Sequence, residues 1–303
     1  MLGIRSDLVC ALRRRHLGAA AEGDLVLLES AGCQLLEGGF NNGVYRVMGD
    51  GGPLCFKFFK VDDRQRDRRE WAALNFLRRQ GFDYVPRPLH CETDGRVAFL
   101  VMEFLEGAHL GDSHLDSRQR AKLVERVRAL HAISYDAAVQ GLGKIEGRTR
   151  LEGMDRFMEA ADCGTGESRL CLKLWREWAG GEDGKLVGVP ADLIFSRMDT
   201  SLGNCLWDGR EMRFVDLEYG GWTDRIFDLA EQVEHVRSRG TPDAEWALFV
   251  EQFDLGPEER QRFLAAQRLM AFFWASKFWP EKGGEASERF KAQVERIGRL
   301  CPT

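Results

Sequence analysis

The sequence predicts an α+β fold in which a small antiparallel sheet, crossed by one helix, precedes a larger and mainly helical part. Short apolar runs separated by glycine-rich turns fill residues 31–105, which is typical of a strand meander. Beyond a connector, EFLEG at 103–107, apolar residues recur instead at helical spacing. We therefore predict two domains, a nucleotide-binding one at 1–105 and a helical one at 106–303.

The N-terminal domain begins with helical sequence over residues 1–30. Three strands are predicted next, within CQLLEGGF, NGVYRVMG and PLCFKFF, joined by the turns GGFNNG and GDGGP. The stretch DDRQRDRREWAALNFLRRQG opens with aspartates, carries apolar residues at helical spacing and stops at Gly81, which predicts the crossing helix. A second hairpin is predicted in PLHCETDGRVAFLVMEF, with its turn at Asp94 and Gly95.

The C-terminal domain is predicted to be mostly helical, with one polar hairpin inside it. RAKLVERVRALHAI places four apolar side chains on one stripe of a helix. Glycine-rich turns break the helical pieces between 137 and 190. The runs NCLW and RFVD flank the turn WDGRE and predict a hairpin, after which the chain is helical to its end.

Composition limits the classes of function. The 303 residues are 44% hydrophobic and 30% charged, and the net charge of −5 argues against nucleic acid as the main partner. No apolar run reaches the ~20 residues that span a bilayer, and the N-terminus lacks the features of a signal peptide. The eight cysteines form no C-x-x-C pair. We expect a cytoplasmic protein that binds neither nucleic acid nor a membrane; its oligomeric state is left open.

Three features of the N-terminal domain suit a phosphate ligand. The loop GGFNNG, which contains Gly39, is either a phosphate loop or a flexible turn, because glycines let backbone N–H groups approach anionic oxygens. Lys57 lies in the apolar strand LCFKFF and needs a partner or a ligand. Glu70, on or beside the buried stripe of the crossing helix, is the candidate partner. Two independent surface charges, or Lys60 in place of Lys57, are the alternatives.

The most polar stretch is RMDTSLGNCLWDGREMRFVDLEYGG at 197–221. Phosphoryl transfer needs a group that orients or deprotonates the acceptor hydroxyl, and oxygen ligands for Mg²⁺. Asp199 suits the first role; Asn204 and Asp216, brought together across the WDGRE turn, suit the second. Glu218 shares a strand face with Asp216 if the strand continues. The alternative, a hairpin with polar ends, leaves Asp216 unexplained.

The order of glycine loop, strand lysine, helix glutamate, connector, D-x-x-x-x-N and strand-end aspartate matches the parts of protein kinases. From about residue 31 to 235 the chain resembles the aminoglycoside phosphotransferase and choline kinase family, the small-molecule branch of the protein-kinase-like fold. GGFNNGVYRV resembles its nucleotide loop, FLVMEFLEG its hinge, and FSRMDTSLGNCLWDGREMRFVDLEYGGWTDRIFDLAE its catalytic segment. The resemblance implies a bilobal fold and phosphotransferase activity.

The resemblance also implies site residues. Asp199 is the catalytic aspartate, and Asn204 and Asp216 bind Mg²⁺. The chain departs from the family at Arg197, where histidine is usual. This departure favours one alternative, a catalytically silent nucleotide-binding scaffold. The other alternative, a protein kinase, is disfavoured because D-F-G and A-P-E elements are absent.

For the nucleotide, ATP or GTP, the resemblance implies that Lys57 contacts the α and β phosphates and is held by Glu70. Asn42 stands at the characteristic asparagine of the nucleotide loop, near Gly39. Backbone groups of Glu103 to Leu105 meet the adenine.

The acceptor is expected to be a hydroxyl-bearing small molecule such as an aminoglycoside, an amino alcohol or a sugar. Glu218, Trp222 and Asp224 follow the metal aspartate and are candidates to line its pocket. An anionic pocket favours an amine-bearing acceptor, whereas an aromatic one favours a choline-like cation or a macrolide. We interpret His131, on a helix stripe, and Asp228, by resemblance, as structural.

Overall fold

A computed structural model of the protein describes residues 5–36, 43–111 and 114–301. The described helices are α1 (Ser6–His16), α2 (Glu22–Ser30), α3 (Arg66–Arg79), α4 (Ser117–His131), α5 (Gly147–Ala160), α6 (Gly166–Ala179), α7 (Glu182–Val187), α8 (Arg225–Glu234), α9 (Asp243–Glu251), α10 (Pro257–Lys277) and α11 (Glu288–Leu300). The described strands are β1 (Gln34–Leu36), β2 (Gly43–Gly49), β3 (Gly52–Phe59), β4 (Pro88–Thr93), β5 (Ala98–Glu103), β6 (Ala108–His109), β7 (Gly143–Lys144), β8 (Leu193–Ser196), β9 (Cys205–Trp207), β10 (Met212–Phe214) and β11 (Gly221–Asp224). No helix in these ranges combines the length and apolarity that a membrane crossing requires.

The chain folds into two compact units, each made of three stretches of sequence. Unit 1 comprises the chain up to Ala108, Ala138–Leu142 and Leu206–Gly220; unit 2 comprises His109–Ala137, Gly143–Cys205 and the chain from Gly221 onward. Asp216 therefore belongs to unit 1, whereas Asp199 and Asn204 belong to unit 2.

A five-stranded antiparallel sheet, in the order β1-β2-β3-β5-β4, forms the centre of unit 1. The predicted hairpins are confirmed. At the turn between β4 and β5, the carboxylate of Asp94 accepts the backbone N–H groups of Arg96 and Val97. Gly95 has a φ of +82°, a left-handed value that glycine adopts without a steric penalty.

Different helices cover the two faces of this sheet. Phe56 and Phe58 of β3 are buried in an apolar cluster with Leu8 and Leu12 of α1. Because side chains alternate along a strand, Lys57 between them points to the other face, where α3 packs. The lysine is 5% exposed, so the predicted strand lysine is buried inside unit 1.

Unit 2 contains a smaller sheet in the order β7-β11-β8, with β11 antiparallel to β8 and parallel to β7. A Cβ on Gly221 of β11 would lie 2.3 Å from the carbonyl oxygen of Gly143, so this position requires glycine. Helix α8 starts directly after β11 and packs against α10, which also contacts α5, α7 and α11. These contacts fix α8 within the helical core of the unit.

The condition under which Asp216 and Glu218 would share a strand face is not met. Strand β10 ends at Phe214, and Asp216 has a φ of +61°, in the left-handed region. The strand therefore does not continue, and Asp216 and Glu218 do not lie on one strand face. The backbone turns at Asp216 instead.

Candidate active site

Lys57 is the centre of a buried charge cluster in unit 1. Its Nζ donates to Oε2 of Glu70 at 2.5 Å and to Oδ1 of Asp216 at 2.6 Å, and it lies 3.9 Å from Oε2 of Glu218. Strand β3 supplies the lysine, α3 supplies the glutamate, and the segment after β10 supplies the other two carboxylates. The predicted contact of Lys57 with Glu70 is confirmed, and the rival Lys60 is exposed.

The cluster holds more negative charge than its lysine balances. Burial alone would lower the pKa of Lys57, but the charges of Asp216, Glu70 and Glu218 outweigh it and raise that pKa. Burial raises the pKa of Glu70 to about 7; the charge of Lys57 opposes this rise, and the other two carboxylates add to it. Oxygens of Glu70, Asp216 and Glu218 lie within 4.8 Å of one another. Such oxygens are the donors that a hard divalent cation takes.

Arg66, one turn before Glu70 on α3, is a second buried cation in unit 1. Its side chain is 2% exposed, with Nη1 3.7 Å from Oε1 of Glu218 and Nη2 3.3 Å from Oδ2 of Asp62. Its Nε and Nη1 make no hydrogen bond to any described residue. Glu218 is 5% exposed and lies near two buried cations, Lys57 and Arg66. Its place in an acceptor pocket stays a prediction.

The loop after β8 carries Asp199 in unit 2. Met198, directly before it, has a φ of +59°, which a residue with a side chain seldom adopts. Backbone conformations of this kind concentrate at functional sites, because the surrounding structure must hold them. The neighbours Arg197 and Thr200 are buried, whereas the Asp199 side chain is 32% exposed.

One oxygen of Asp199 is held by the protein and the other is free. Oδ1 lies 3.3 Å from Nε2 of His235 and accepts the backbone N–H of Ser201 at 3.2 Å. No other described residue bonds to Asp199, so Oδ2 is left to a ligand. Burial opposes ionisation, but the hydrogen bonds from His235 and Ser201 and the charge of Arg197 lower the pKa of Asp199. The carboxylate is ionised at neutral pH, as a general base must be.

Asp228 on α8 anchors the start of this loop. The hydroxyl of Ser196 donates to its Oδ1, and Nε2 of His131 lies 2.7 Å from its Oδ2. Burial opposes ionisation, but the bonds from His131 and Ser196 lower the pKa of Asp228. The positions of Asp228 and His131 fit the structural interpretation made from the sequence.

Gln232, one turn later on α8, clamps the unusual Arg197. Nη2 of Arg197 donates to Oε1 of Gln232 at 2.8 Å, and Nε2 of Gln232 donates to the carbonyl oxygen of Thr200 at 3.0 Å. Arg197 is 2% exposed. It is therefore a fixed part of the loop that places positive charge near Asp199.

Reasoning from the sequence missed Gln232 and His235. Gln232 follows Asp228 by four residues on α8, and His235, the residue directly after the helix, follows Gln232 by three, so all three lie on the side that meets the loop. This spacing is the signal in the sequence that could have identified Gln232 and His235. Glu231 and Glu234 are equally polar in the sequence, so the spacing does not single out the residues that bond to the loop.

Asn204 ends the 3₁₀ turn Leu202–Asn204 that follows the loop. Its backbone N–H donates to the carbonyl of Ser201 at 3.0 Å. Its half-buried side-chain amide makes no hydrogen bond within the described part of the chain. An amide oxygen without a protein partner suits the predicted role of magnesium ligand.

Two of the predicted nucleotide contacts, Gly39 and Asn42, lie outside the described residues. Glu103 ends β5, and its backbone N–H donates to the carbonyl of Arg87 at 2.9 Å. The backbone of Leu105 makes no hydrogen bond to another described residue. Its N–H and C=O groups are therefore available to the edge of a base.

Trp222 and Asp224 of β11 are buried, at 2% and 3% exposure. The ring of Trp222 packs edge-on against Phe195. Asp224 caps α8 through the N–H groups of its first turn, and its Oδ2 accepts from Arg262 at 3.0 Å. Burial raises the pKa of Asp224, and Arg262 opposes this rise. Their contact with an acceptor stays a prediction.

Sequence comparisons match the resemblance seen in the motifs. The model of a family described as "Phosphotransferase enzyme family" matches residues 32–268. An aminoglycoside 3'-phosphotransferase of Niallia circulans is 26% identical over 221 residues, which cover 68% of this chain and 78% of that protein.

Solved structures share the fold. A choline/ethanolamine kinase family protein from Mesorhizobium loti superposes with a TM-score of 0.67 at 21% identity, covering 89% of this chain and 88% of that chain. A spectinomycin phosphotransferase in complex with ADP and spectinomycin gives a TM-score of 0.56 at 14% identity, covering 93% of this chain and 97% of that chain. These likenesses confirm the predicted α+β, protein-kinase-like fold class.

Proposed function

Because the chain belongs to the phosphotransferase enzyme family and is a small-molecule kinase, we propose that it transfers the γ-phosphoryl group of ATP or GTP to a hydroxyl group of a small molecule. The observation that carries this proposal is Lys57, buried in unit 1 and bonded to both Glu70 and Asp216. In protein kinases a strand lysine held by a helix glutamate serves the nucleotide phosphates, and a nearby aspartate serves the metal.

Asp199 acts as the base in this proposal. Its free Oδ2 accepts a hydrogen bond from the acceptor hydroxyl and takes the proton late, as the hydroxyl oxygen bonds to the γ-phosphorus. The bond from that phosphorus to the β–γ bridging oxygen breaks, and ADP or GDP leaves with the electron pair. Because little covalent work falls to the protein, it mainly positions the reactants and offsets charge.

Lys57 places its charge against the α and β phosphates, and Glu70 keeps the ammonium oriented. Asn204 and Asp216 would hold Mg²⁺, which offsets phosphate charge when bound. The residues fit this ion, since the Asn204 amide has no partner within the described chain and the Asp216 side chain is 38% exposed. In addition, we propose that the backbone of Leu105 meets the base.

The relatives' names point to two acceptor classes. One is an antibiotic, such as an aminoglycoside or spectinomycin, and the other is an amino alcohol, such as choline or ethanolamine. We propose a hydroxyl acceptor from these classes or a sugar. Family membership favours a small-molecule kinase over the alternatives of a protein kinase and a silent scaffold.

The proposal is tested by Asp199→Asn, which keeps the side-chain shape and removes the base. Phosphate transfer should fall by about 10²–10⁴-fold, whereas binding of ADP with Mg²⁺ should stay unchanged. Nucleotide consumption is measured across aminoglycosides, macrolides, amino alcohols and sugars. Asp192→Asn is the control, because Asp192 is exposed.

Near-wild-type phosphate transfer by the Asp199→Asn variant would refute the assignment of Asp199 as the base. Wild-type protein that binds nucleotide but phosphorylates nothing in the panel would favour a silent scaffold. Transfer only to added proteins would favour a protein kinase.

A further inference from the structure

His235 is the one side chain in the described part of the chain with a nitrogen within 4 Å of an Asp199 oxygen. It is 5% exposed and lies where α8 ends, with Nε2 3.3 Å from Oδ1 of the aspartate. Arg197, two residues before Asp199, bonds instead to Gln232 and to Sγ of Cys205. The residue directly after α8 therefore reaches the carboxylate from outside the loop.

The surroundings of His235 fix which ring nitrogen carries the proton. The backbone N–H of Arg237 donates to Nδ1 at 3.1 Å, so Nδ1 accepts and carries no hydrogen. The neutral ring therefore has its hydrogen on Nε2, the atom that faces Asp199. The ring of Trp274 packs against that of His235 at 4.6 Å and an interplanar angle of 75°. This contact restrains rotation of the ring.

We propose that His235 is a positioning residue for phosphoryl transfer. Its Nε2–H holds Oδ1 of Asp199, so that Oδ2 faces the acceptor hydroxyl. This inference rests on the proposed function, because it takes Asp199 to be the base. The histidine itself contacts neither acceptor nor nucleotide in this role.

A purely structural role is the competing explanation, because His235 also caps the 3₁₀ turn Val236–Ser238 through the N–H of Arg237. Two substitutions separate the roles. In His235→Asn, the amide oxygen takes the place of Nδ1 and keeps the cap, but no donor reaches Asp199. In His235→Gln, the amide nitrogen takes the place of Nε2 and keeps that donor, but the cap is lost.

If His235 positions the base, kcat should fall by about 10–100-fold in the Asn variant and recover most of this loss in the Gln variant. KM for the nucleotide should change little in both. The acid limb of the kcat profile should move to higher pH in the Asn variant only, because Asp199 loses a donor that favours its ionised form. Arg197 and Glu231, the other charged groups near Asp199, are present in every variant. His114→Asn, at an exposed histidine, is the control.

Full activity in His235→Asn with a loss in His235→Gln would overturn the proposal and leave the cap as the role of this residue. Equal losses with an unmoved acid limb would overturn it as well. ¹⁵N chemical shifts of His235 test the tautomer without activity, and a proton on Nδ1 of the neutral ring would refute the geometry. Wild-type enzyme that phosphorylates no acceptor would count against the proposed function instead.

Discussion

At the scale of single residues, Glu231 shows how burial moves an ionisation equilibrium. Its side chain is 7% exposed, and Nη2 of Arg150 lies 2.9 Å from its Oε2. Burial raises the pKa of Glu231 to about 7 from an ordinary value of 4.5; Arg150 opposes this rise, and the charges of Asp199 and Asp228 add to it. At a pH between 4.5 and about 7, Glu231 of the folded protein therefore holds a proton that the unfolded chain has released.

We therefore predict that Glu231→Gln changes how stability depends on pH. In the wild type, the raised pKa of Glu231 contributes fully to the free energy of unfolding below about pH 4.5. This contribution is lost as pH rises towards 7, because the folded state must then give up its extra proton. Glutamine does not titrate. The free energy of unfolding of the variant, relative to wild type, should rise over this window by on the order of 3 kcal/mol. Urea unfolding at several pH values measures it, with the exposed Glu152→Gln as control; a pH-independent difference would contradict the raised pKa.

At the scale of elements, α8 organises the loop that carries the proposed base. Asp228 and Gln232 each bond to a different part of residues 196–200, and His235, directly after the helix, lies 3.3 Å from Asp199. The helix is itself held by its cap at Asp224 and by packing against α10. Three contacts to the loop therefore come from one helix and the residue that follows it.

Gln232→Met should test this dependence. Methionine keeps the length of the side chain but removes both hydrogen bonds, which leaves a donor of Arg197 and the carbonyl of Thr200 without their partner. Stability should fall by about 2 kcal/mol, and kcat should fall with it, because buried polar groups are costly when unpaired. Thermal unfolding and steady-state rates measure the two effects. Gln261→Met, exposed on α10, should be neutral, and a Gln232 variant equal to it would contradict the clamp.

The elements that were predicted correctly from the sequence are those with local signals. The β4–β5 hairpin follows from its Asp94-Gly95 turn, and α3 follows from its spacing and the stop at Gly81. The contact of Lys57 with Glu70 was predictable because each residue lies on the buried face of its own element.

Features that depend on distant contacts were not predictable. The left-handed backbone of Asp216 accompanies its bond to Lys57, 159 residues earlier in the chain. His235 meets Asp199 because α8 folds back onto the loop, and periodicity within α8 does not reveal which neighbour it meets. The roles of the site residues remain predictions for the experiments above.

At the scale of the whole molecule, one buried carboxylate joins the C-terminal helices within unit 2. Glu234 of α8 is fully buried and accepts hydrogen bonds from Arg239, Gln267 of α10 and Arg296 of α11. Nη1 of Arg296 also donates to Asp243 at 2.5 Å. Burial opposes ionisation, but Arg296 and Arg239 lower the pKa of Glu234. Glu234 is thus bonded directly to α10 and α11, and through Arg296 it is linked to Asp243 of α9.

We predict that Arg296→Met destabilises the fold by about 3 kcal/mol, because it leaves Glu234 buried without its main partner. Guanidinium unfolding measures the loss. Arg299→Met on the same helix removes an equal charge from an exposed position and should cost less than about 0.5 kcal/mol. Equal stabilities of the two variants would refute the role of this ion pair.

The alternation of the two units along the chain limits which crossovers between related sequences give a functional protein. Six stretches alternate between the units, so the chain passes between them five times. A single crossover after Ala108 would combine the lysine and glutamate of one parent with the Asp216 segment of another. Functional chimeras, natural or made in the laboratory, should therefore inherit residues 206–220 from the same parent as β3 and α3.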